Sequence, residues 1–339
     1  MATIQSVEEL VRSWGEIDLA RANLRITHLE RFLFRTYEPE SFVPDDFFSR
    51  LQKWLSNVSD DESKKLLLRL LPELTFIGPE EFKELYRVAY DCVISRWLMD
   101  SQDIQFFSSD CAQRLRNLTA TTWFCPVTDS MLINRFFKVN SIPASNNHRP
   151  DWRFLFEAFS QAKELRALVK ALQLYIDKHQ IERLVLLEDF VGGGSQTLAT
   201  VDFAVSHFPS LRILFVPLIV CPDGEVAMSA LQSKYSKTLR CEAAMALPSS
   251  TFFTATGNPF AAGDNYAARL RTLVESTYTQ VSGGHAPGSA KPYNPYGYPH
   301  GAPTGGLVVM HTNTPDNSLP IIHWRSPTWS PVFPRHSRV

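Results

Sequence analysis

The chain has 339 residues, 44% of them hydrophobic, and a formal net charge of −1. This composition is ordinary for a folded globular protein with a sizeable core, and the near-zero charge excludes a global basic field for nucleic acid, leaving only a local patch. The five cysteines (Cys92, Cys111, Cys125, Cys221 and Cys241) are odd in number and form no CxxC pair, so they read as buried thiols of a reducing cytoplasm, not as a zinc ribbon or a disulfide framework.

In chain order, the opening stretch "MATIQSVEELVRSW" is polar and helical, not basic then apolar as a signal peptide would be. The longest apolar run, "LRILFVPLIV", holds Arg212 and Pro217. It is shorter than the ~20 residues that span a bilayer as a helix. A soluble cytoplasmic protein with no membrane partner is expected. Residues 4–118 read as mostly helical, with apolar positions at three- and four-residue spacing in "VEELVRSWGEIDLARANLRITHLERFLFRTY", "DDESKKLLLRLLPEL" and "PEEFKELYRVAYDCVISRWLM". Pro79, Glu80 and Glu81 form a helix-start signal. These helices read as a cap on the rest of the chain, or as a surface that docks a partner.

The pattern changes near residue 120, which divides the chain into a helical region (1–118) and an α/β domain (119–339). "TTWFC" is a short run of β-formers followed by a turn from Pro126 to Ser130, and "PASNNHRP" is a loop by composition. "AKELRALVKALQLYIDKH" is an amphipathic helix with Leu165, Leu168, Val169, Leu172 and Ile176 on one face. Then come a buried strand ("RLVLL"), a glycine turn, a helix ("SQTLATVDFAVSHF") and a second buried strand ("LRILFVPLIV"). This is a βαβ unit of a parallel sheet. A helix ("GEVAMSALQSKYSK"), a strand near "CEAAMAL" and a helix ("GDNYAARLRTLVESTY") follow. Residues 279–306 are rich in Gly, Pro and Tyr, lack periodicity and read as a long loop. Order returns with "LVVMHTNTPDNSLPIIHW".

The stretch "LVLLEDFVGGGSQT" carries the chemistry. Its glycine turn sits where parallel α/β sheets bind ligands, between a strand end and a helix start. Backbone N–H groups there can cradle a phosphate. No Lys follows the last glycine, so it is not a Walker loop. A dinucleotide fingerprint would not place two acids ahead of its glycines. Glu188 and Asp189 make sense for a ligand with both a phosphate and a sugar diol, since carboxylates accept hydrogen bonds from vicinal hydroxyls and can hold a hydrated Mg²⁺. The bland alternative is a tight turn before a packed helix.

This stretch resembles the signature of the type I phosphoribosyltransferases: an apolar strand, two acids, two mostly apolar residues, then a small-residue phosphate loop. The resemblance implies an α/β fold with a mostly parallel sheet flanked by helices. It casts Glu188 and Asp189 as catalytic residues that bind ribose and, through water, the metal. Gly192, Gly193, Gly194, Ser195, Gln196 and Thr197 would form the 5′-phosphate loop. Glycines replace the usual hydroxyl residues at 192 and 193, and a carboxylate that some purine-using members carry at the first loop position is replaced by Gly192. "HTNTPDNSLPIIHW" resembles the C-terminal hallmark of the phosphoribosyltransferase-like domain of bacterial conflict systems, PRTase-CE, with Asp316 where Asn is commoner. That likeness spans residues 60–330 and adds Asn313, Thr314 and Asn317 as substrate-binding candidates. A loop held by Asx-turns is the structural alternative.

Phosphoribosyl transfer also needs a pyrophosphate site. "FCPVTDSM" is placed for one, with Thr128, Asp129 and Ser130 offering N–H groups and hydroxyls; the alternative is an N-capped turn. Lys138 and Arg149 are the first-ranked cations for the departing pyrophosphate, ahead of Arg135. His311 and His323 flank the second motif as a general base or as structural histidines. The tyrosines of "KPYNPYGYPHGAP" suit base stacking or a partner-ordered loop. Taken together, the resemblance implies an anti-phage or toxin-like effector that uses phosphoribosyl pyrophosphate or a related ribose phosphate. Mg²⁺ is the expected cofactor, with no haem, flavin or zinc. The acceptor would be RNA, a nucleotide or a protein, and the partners would be defence components, including a reverse transcriptase with its RNA–DNA hybrid. The alternative is a catalytically silent sugar-phosphate sensor or scaffold.

Overall fold

The computed structural model describes residues 6–39, 45–143, 165–260, 265–297 and 305–336. Its strands, in chain order, are β1 (Thr75–Ile77), β2 (Thr122–Pro126), β3 (Arg183–Val191), β4 (Arg212–Val220), β5 (Leu239–Cys241), β6 (Met245–Ala246) and β7 (Val308–Met310). Packing divides the chain into two compact units, one from residues 1–79 with 249–339 and one from residues 80–248. The first two-thirds of the helical segment thus packs with the C-terminal quarter of the chain, and residues 80–118 pack with the main sheet.

In the discontinuous unit, helices start where acidic or hydroxyl residues cap them. Ser6 and Glu9 form a reciprocal capping box before Val7–Trp14, and Asp46 and Asp60 cap Phe47–Leu55 and Asp61–Leu70. Their apolar faces close over an aromatic core in which Phe34 meets Phe333 edge-on at 5.0 Å and Trp54 and Trp329 both donate to the Ile321 carbonyl. β1 pairs in parallel with β7. The strand at "LVVM" therefore joins "TFI", a three-residue strand hidden in the helical stretch between Pro72 and Pro79. The described part of the Gly/Pro/Tyr-rich segment, up to residue 297, is irregular beyond the short helix Tyr278–Val281 but is tied to its surroundings. Tyr278 donates to the Pro292 carbonyl, and the buried Tyr296 donates to Glu275 while its ring joins the core.

The continuous unit holds an all-parallel sheet of order β2-β3-β4-β5, with β6 also pairing β4. The helices Ser195–His207 and Pro222–Lys234 make the crossovers after β3 and β4. β3 and β4 are buried almost throughout, as parallel strands covered on both faces must be. This is the expected fold class: mostly parallel sheet flanked by helices. Pro217 explains why the sheet edge beyond β4 is interrupted. Arg212 donates to the Glu182 carbonyl and Ile213 to the Thr238 carbonyl, while the Phe215 and Pro217 carbonyls accept from Glu242 and Ala244, so the odd-numbered residues from 213 to 217 face away from β3. Pro217 has no N–H to offer on that side, and the chain there breaks into β5 and β6. The cysteines differ from the expectation: Cys125 and Cys221 are buried, but Cys92 is exposed and Cys111 and Cys241 are half-buried. Their helix and edge-strand positions leave one side open.

His323 supplies a test of the discontinuous unit. It is fully buried, its Nε2 faces the Ser318 carbonyl at 3.1 Å, and burial pulls its pKa down to about 4 from 6.5. The unfolded chain therefore takes up this proton first as pH falls. The neutral imidazole's contribution is complete above about 6.5 and is lost as pH falls to about 4. We expect roughly 3 kcal/mol of stability to disappear across that window. Chemical denaturation of the wild type and His323→Gln at several pH values checks it: the variant should have a flatter profile.

Candidate functional site

The site grows from the carboxyl end of β3. The strand continues past the expected "RLVLL" through Glu188 and Asp189 to Val191, because Val191 pairs with Val220 and accepts from the Cys221 N–H at 2.9 Å. The two acids are thereby built into a central strand and are 3% and 5% exposed. That burial is expensive for charges unless they are paired or hydrogen-bonded.

The hydrogen bonds come from the turn after β2. Val127 makes the last ladder bond, to the Leu187 carbonyl. The next residue turns to the side chains instead: the Thr128 N–H donates to Glu188 Oε2 at 3.0 Å. With both acids ionised, the Thr128 hydroxyl donates to Glu188 Oε1 (2.7 Å) and the Ser130 hydroxyl to Asp189 Oδ1 (2.8 Å). Thr128 Oγ1 and Ser130 Oγ are themselves 2.6 Å apart. Each hydroxyl brings one proton, so two protons would have to serve three contacts. A neutral Glu188 supplies the third. Burial first, and then the adjacent Asp189 charge, raise its pKa well above the usual carboxylate range, against the lowering effect of the Thr128 bonds. The proton count and the direction of this shift both favour the neutral form of Glu188.

Downstream, Gly194 adopts a left-handed conformation (φ +79°) and caps Ser195–His207 without a side-chain hydrogen bond. A Cβ at 194 would also meet Leu198 Cδ1 at 2.8 Å. The first helical backbone bond is from the Leu198 N–H to the Gly194 carbonyl, which leaves the N–H groups of the first turn directed out of the helix end, where an anion binds well. Gly193 is exposed, with open space where a Cβ would stand, while Thr197 is buried. Gln196 belongs to the helix backbone. Gly224, on the following crossover helix, was not singled out from sequence. A Cβ there would lie 2.4 Å from the Gly192 carbonyl oxygen and 3.0 Å from that of Val191. Its signal is faint: a glycine four residues after a strand, in "CPDGE", reads as an ordinary turn.

Thr128, Ser130, Glu188 and Asp189 are thus brought together, with the 192–197 loop directly following. Asp129 is exposed at the tip of its turn, and Lys138 is exposed on the helix Ile133–Val139. Arg149 lies outside the described residues. Asn313, Thr314 and Asn317 belong to the discontinuous unit. There Asn313 bonds the His336 backbone through both ends of its amide, Thr314 Oγ1 meets Tyr37 Oη at 2.9 Å, and Asn317 is half-buried with its carbonyl accepting from Gly306. Asp316 pairs with Arg335. Two buried carboxylates are hard oxygen donors that suit a hydrated Mg²⁺. Among the described residues, no group of three or more His, Cys, Asp or Glu is arranged to hold a metal directly. No helix among them is long and apolar enough to cross a membrane.

A family model, PRTase-CE, matches residues 51–335. The chain belongs to this family and carries its phosphoribosyltransferase-like domain. Comparison with curated proteins and with solved structures gives no match.

Two substitutions test the geometry. Glu188 has a folded pKa raised above its unfolded value, so its contribution is complete below about 4.5 and is lost as pH rises through the folded value. Glu188→Gln imitates the neutral acid and fills the same contacts. Its melting temperature should exceed that of the wild type at alkaline pH, with the gap closing towards acid. Gly224→Ala should cost about 1–3 kcal/mol by overpacking, seen as a lower melting temperature. Its amide shift changes should concentrate at residues 191–194.

Proposed function

We propose that this chain is a Mg²⁺-dependent phosphoribosyl-binding enzyme, the effector of a bacterial anti-phage, toxin-like defence system. One observation carries the reading: two buried carboxylates end a central parallel strand, and a left-handed glycine cap with an open helix N-terminus follows five residues later. A ligand bearing vicinal hydroxyls and a phosphate matches both features. Asp189 and Glu188 accept the ribose hydroxyls and hold metal-bound water. Gly192, Gly193, Gly194 and Ser195 present backbone N–H groups to the 5′-phosphate, aided by Gln196 and Thr197 at the helix start. Bound there, Mg²⁺ would offset the charge of a departing diphosphate. The acids favour the positive charge that develops at the anomeric carbon, and positioning with electrostatics supplies the rate. Exposed Lys138, and Arg149 by its position in sequence, are the cations assigned to the diphosphate. The ribosyl group would be transferred to, or cleaved from, RNA, a nucleotide or a protein. A defence complex containing a reverse transcriptase and its RNA–DNA hybrid would supply the partner.

A second reading, a catalytically silent sugar-phosphate sensor, draws on the neutral Glu188 and on the hydroxyls that already occupy both acids. The test is calorimetric titration with phosphoribosyl pyrophosphate and Mg²⁺, alone and in the native complex. Metal-dependent binding, weakened at least about tenfold in Asp189→Asn through loss of charged hydrogen bonds, is the expected result. Pyrophosphate release with an acceptor then separates enzyme from sensor. Failure of the wild type to bind in the native complex would remove the proposal.

A further inference from the structure

We infer that Thr128 and Ser130 form a latch that stands in for the ribose diol and holds the acidic pair closed until a vicinal diol displaces it. The inference rests on the phosphoribosyl reading and adds regulation to that site. Its basis is the match between the turn and the ligand. Two hydroxyl oxygens lie 2.6 Å apart, close to the spacing of hydroxyls on adjacent ring carbons, and each serves one acid. The Thr128 N–H adds a third bond, to Glu188. With the turn in place the acids are only 3% and 5% exposed, so a sugar's hydroxyls reach them only when the turn moves.

The turn is also built to leave. Val127 is buried and remains in the sheet through its bond to the Leu187 carbonyl, while Met131 is buried beyond the turn. Between these anchors Thr128 and Ser130 are half-buried and Asp129 is exposed, so the three residues can swing without unpacking the core. The hydroxyls expected from sequence to bind pyrophosphate are, in this state, spent on the acids. Displacement by the sugar frees them for a diphosphate, a group that ribose 5-phosphate does not carry, so ribose binding and completion of the site are one event. The latch lowers apparent affinity by the fraction of molecules that are open.

Three measurements test this: binding of ribose 5-phosphate with Mg²⁺ to the wild type and to the double variant Thr128→Val, Ser130→Ala; amide exchange of the 127–131 segment; and the same exchange with 2-deoxyribose 5-phosphate, which lacks one of the two hydroxyls. We expect the variant to bind about tenfold tighter or more, because a competitor is removed. In the wild type the Thr128 amide should exchange faster with ribose 5-phosphate and stay protected with the deoxy sugar. Weaker binding by a variant that melts as a folded protein would show these hydroxyls to be ligand contacts and overturn the latch. A Thr128 amide still protected in the wild-type ribose 5-phosphate complex would overturn it without recourse to any variant, and would leave the phosphoribosyl reading standing. Absence of binding by both proteins would overturn that reading and the latch with it.

Discussion

The structure of the continuous unit turns on burying two adjacent carboxylates at the end of a central strand. An isolated buried charge costs several kcal/mol, and here two neighbours share one strand end. The chain meets that cost with hydrogen bonds from sixty residues away in sequence and with a Glu188 pKa raised towards the neutral form. Both devices depend on topology. β2 must lie beside β3, in parallel and in the register Pro126–Leu187, for Thr128 to reach Glu188. The position of β3 between β2 and β4 then follows from the need to bring a donor turn to the acids.

Glycines set the second constraint. Gly194 takes a left-handed conformation that an L side chain would resist, and it turns the chain from strand into helix. Gly224 lets the next crossover helix approach the loop's own backbone. The shape of the 192–194 turn is therefore held from both sides, by its own helix and by the one that follows β4. Pro217 acts between them at a different level: it stops regular pairing on the far side of β4 and leaves the β3 side intact.

Much of this was legible in the sequence because it is local. The apolar runs of β3 and β4, the glycine turn and the helix behind it follow from period, composition and turn chemistry. So does the identity of the acids as the unusual residues. What was hidden is non-local. The bonds of Thr128 and Ser130 to the acids join segments with no shared periodicity, and the same turn read equally well as a pyrophosphate loop. β1 was hidden by its three-residue length among helices, and its pairing with β7 decides that the ends of the chain pack together. In the tyrosine-rich segment Gly and Pro report the irregular backbone that the described residues have, while composition alone does not report that Tyr296 packs into a core.

The cost of the acids also separates a binding site from a simple turn. A strand-to-helix turn needs Gly194, and it needs Gly224 to let the next helix in. It has no need of carboxylates at 188 and 189, where apolar residues would bury without desolvation cost and without calling on Thr128 and Ser130. Retaining both acids creates a paired, half-neutral cluster whose hydroxyl partners sit on a turn with an exposed tip. Such a cluster is dearer than the fold requires, and its acceptor positions are those a diol would use. The excess cost is the physical reason why the proposal rests on the acids, beside a helix start with unspent N–H groups, and not on Asn313 and Thr314, whose amide and hydroxyl bonds close on the C-terminal backbone and on Tyr37.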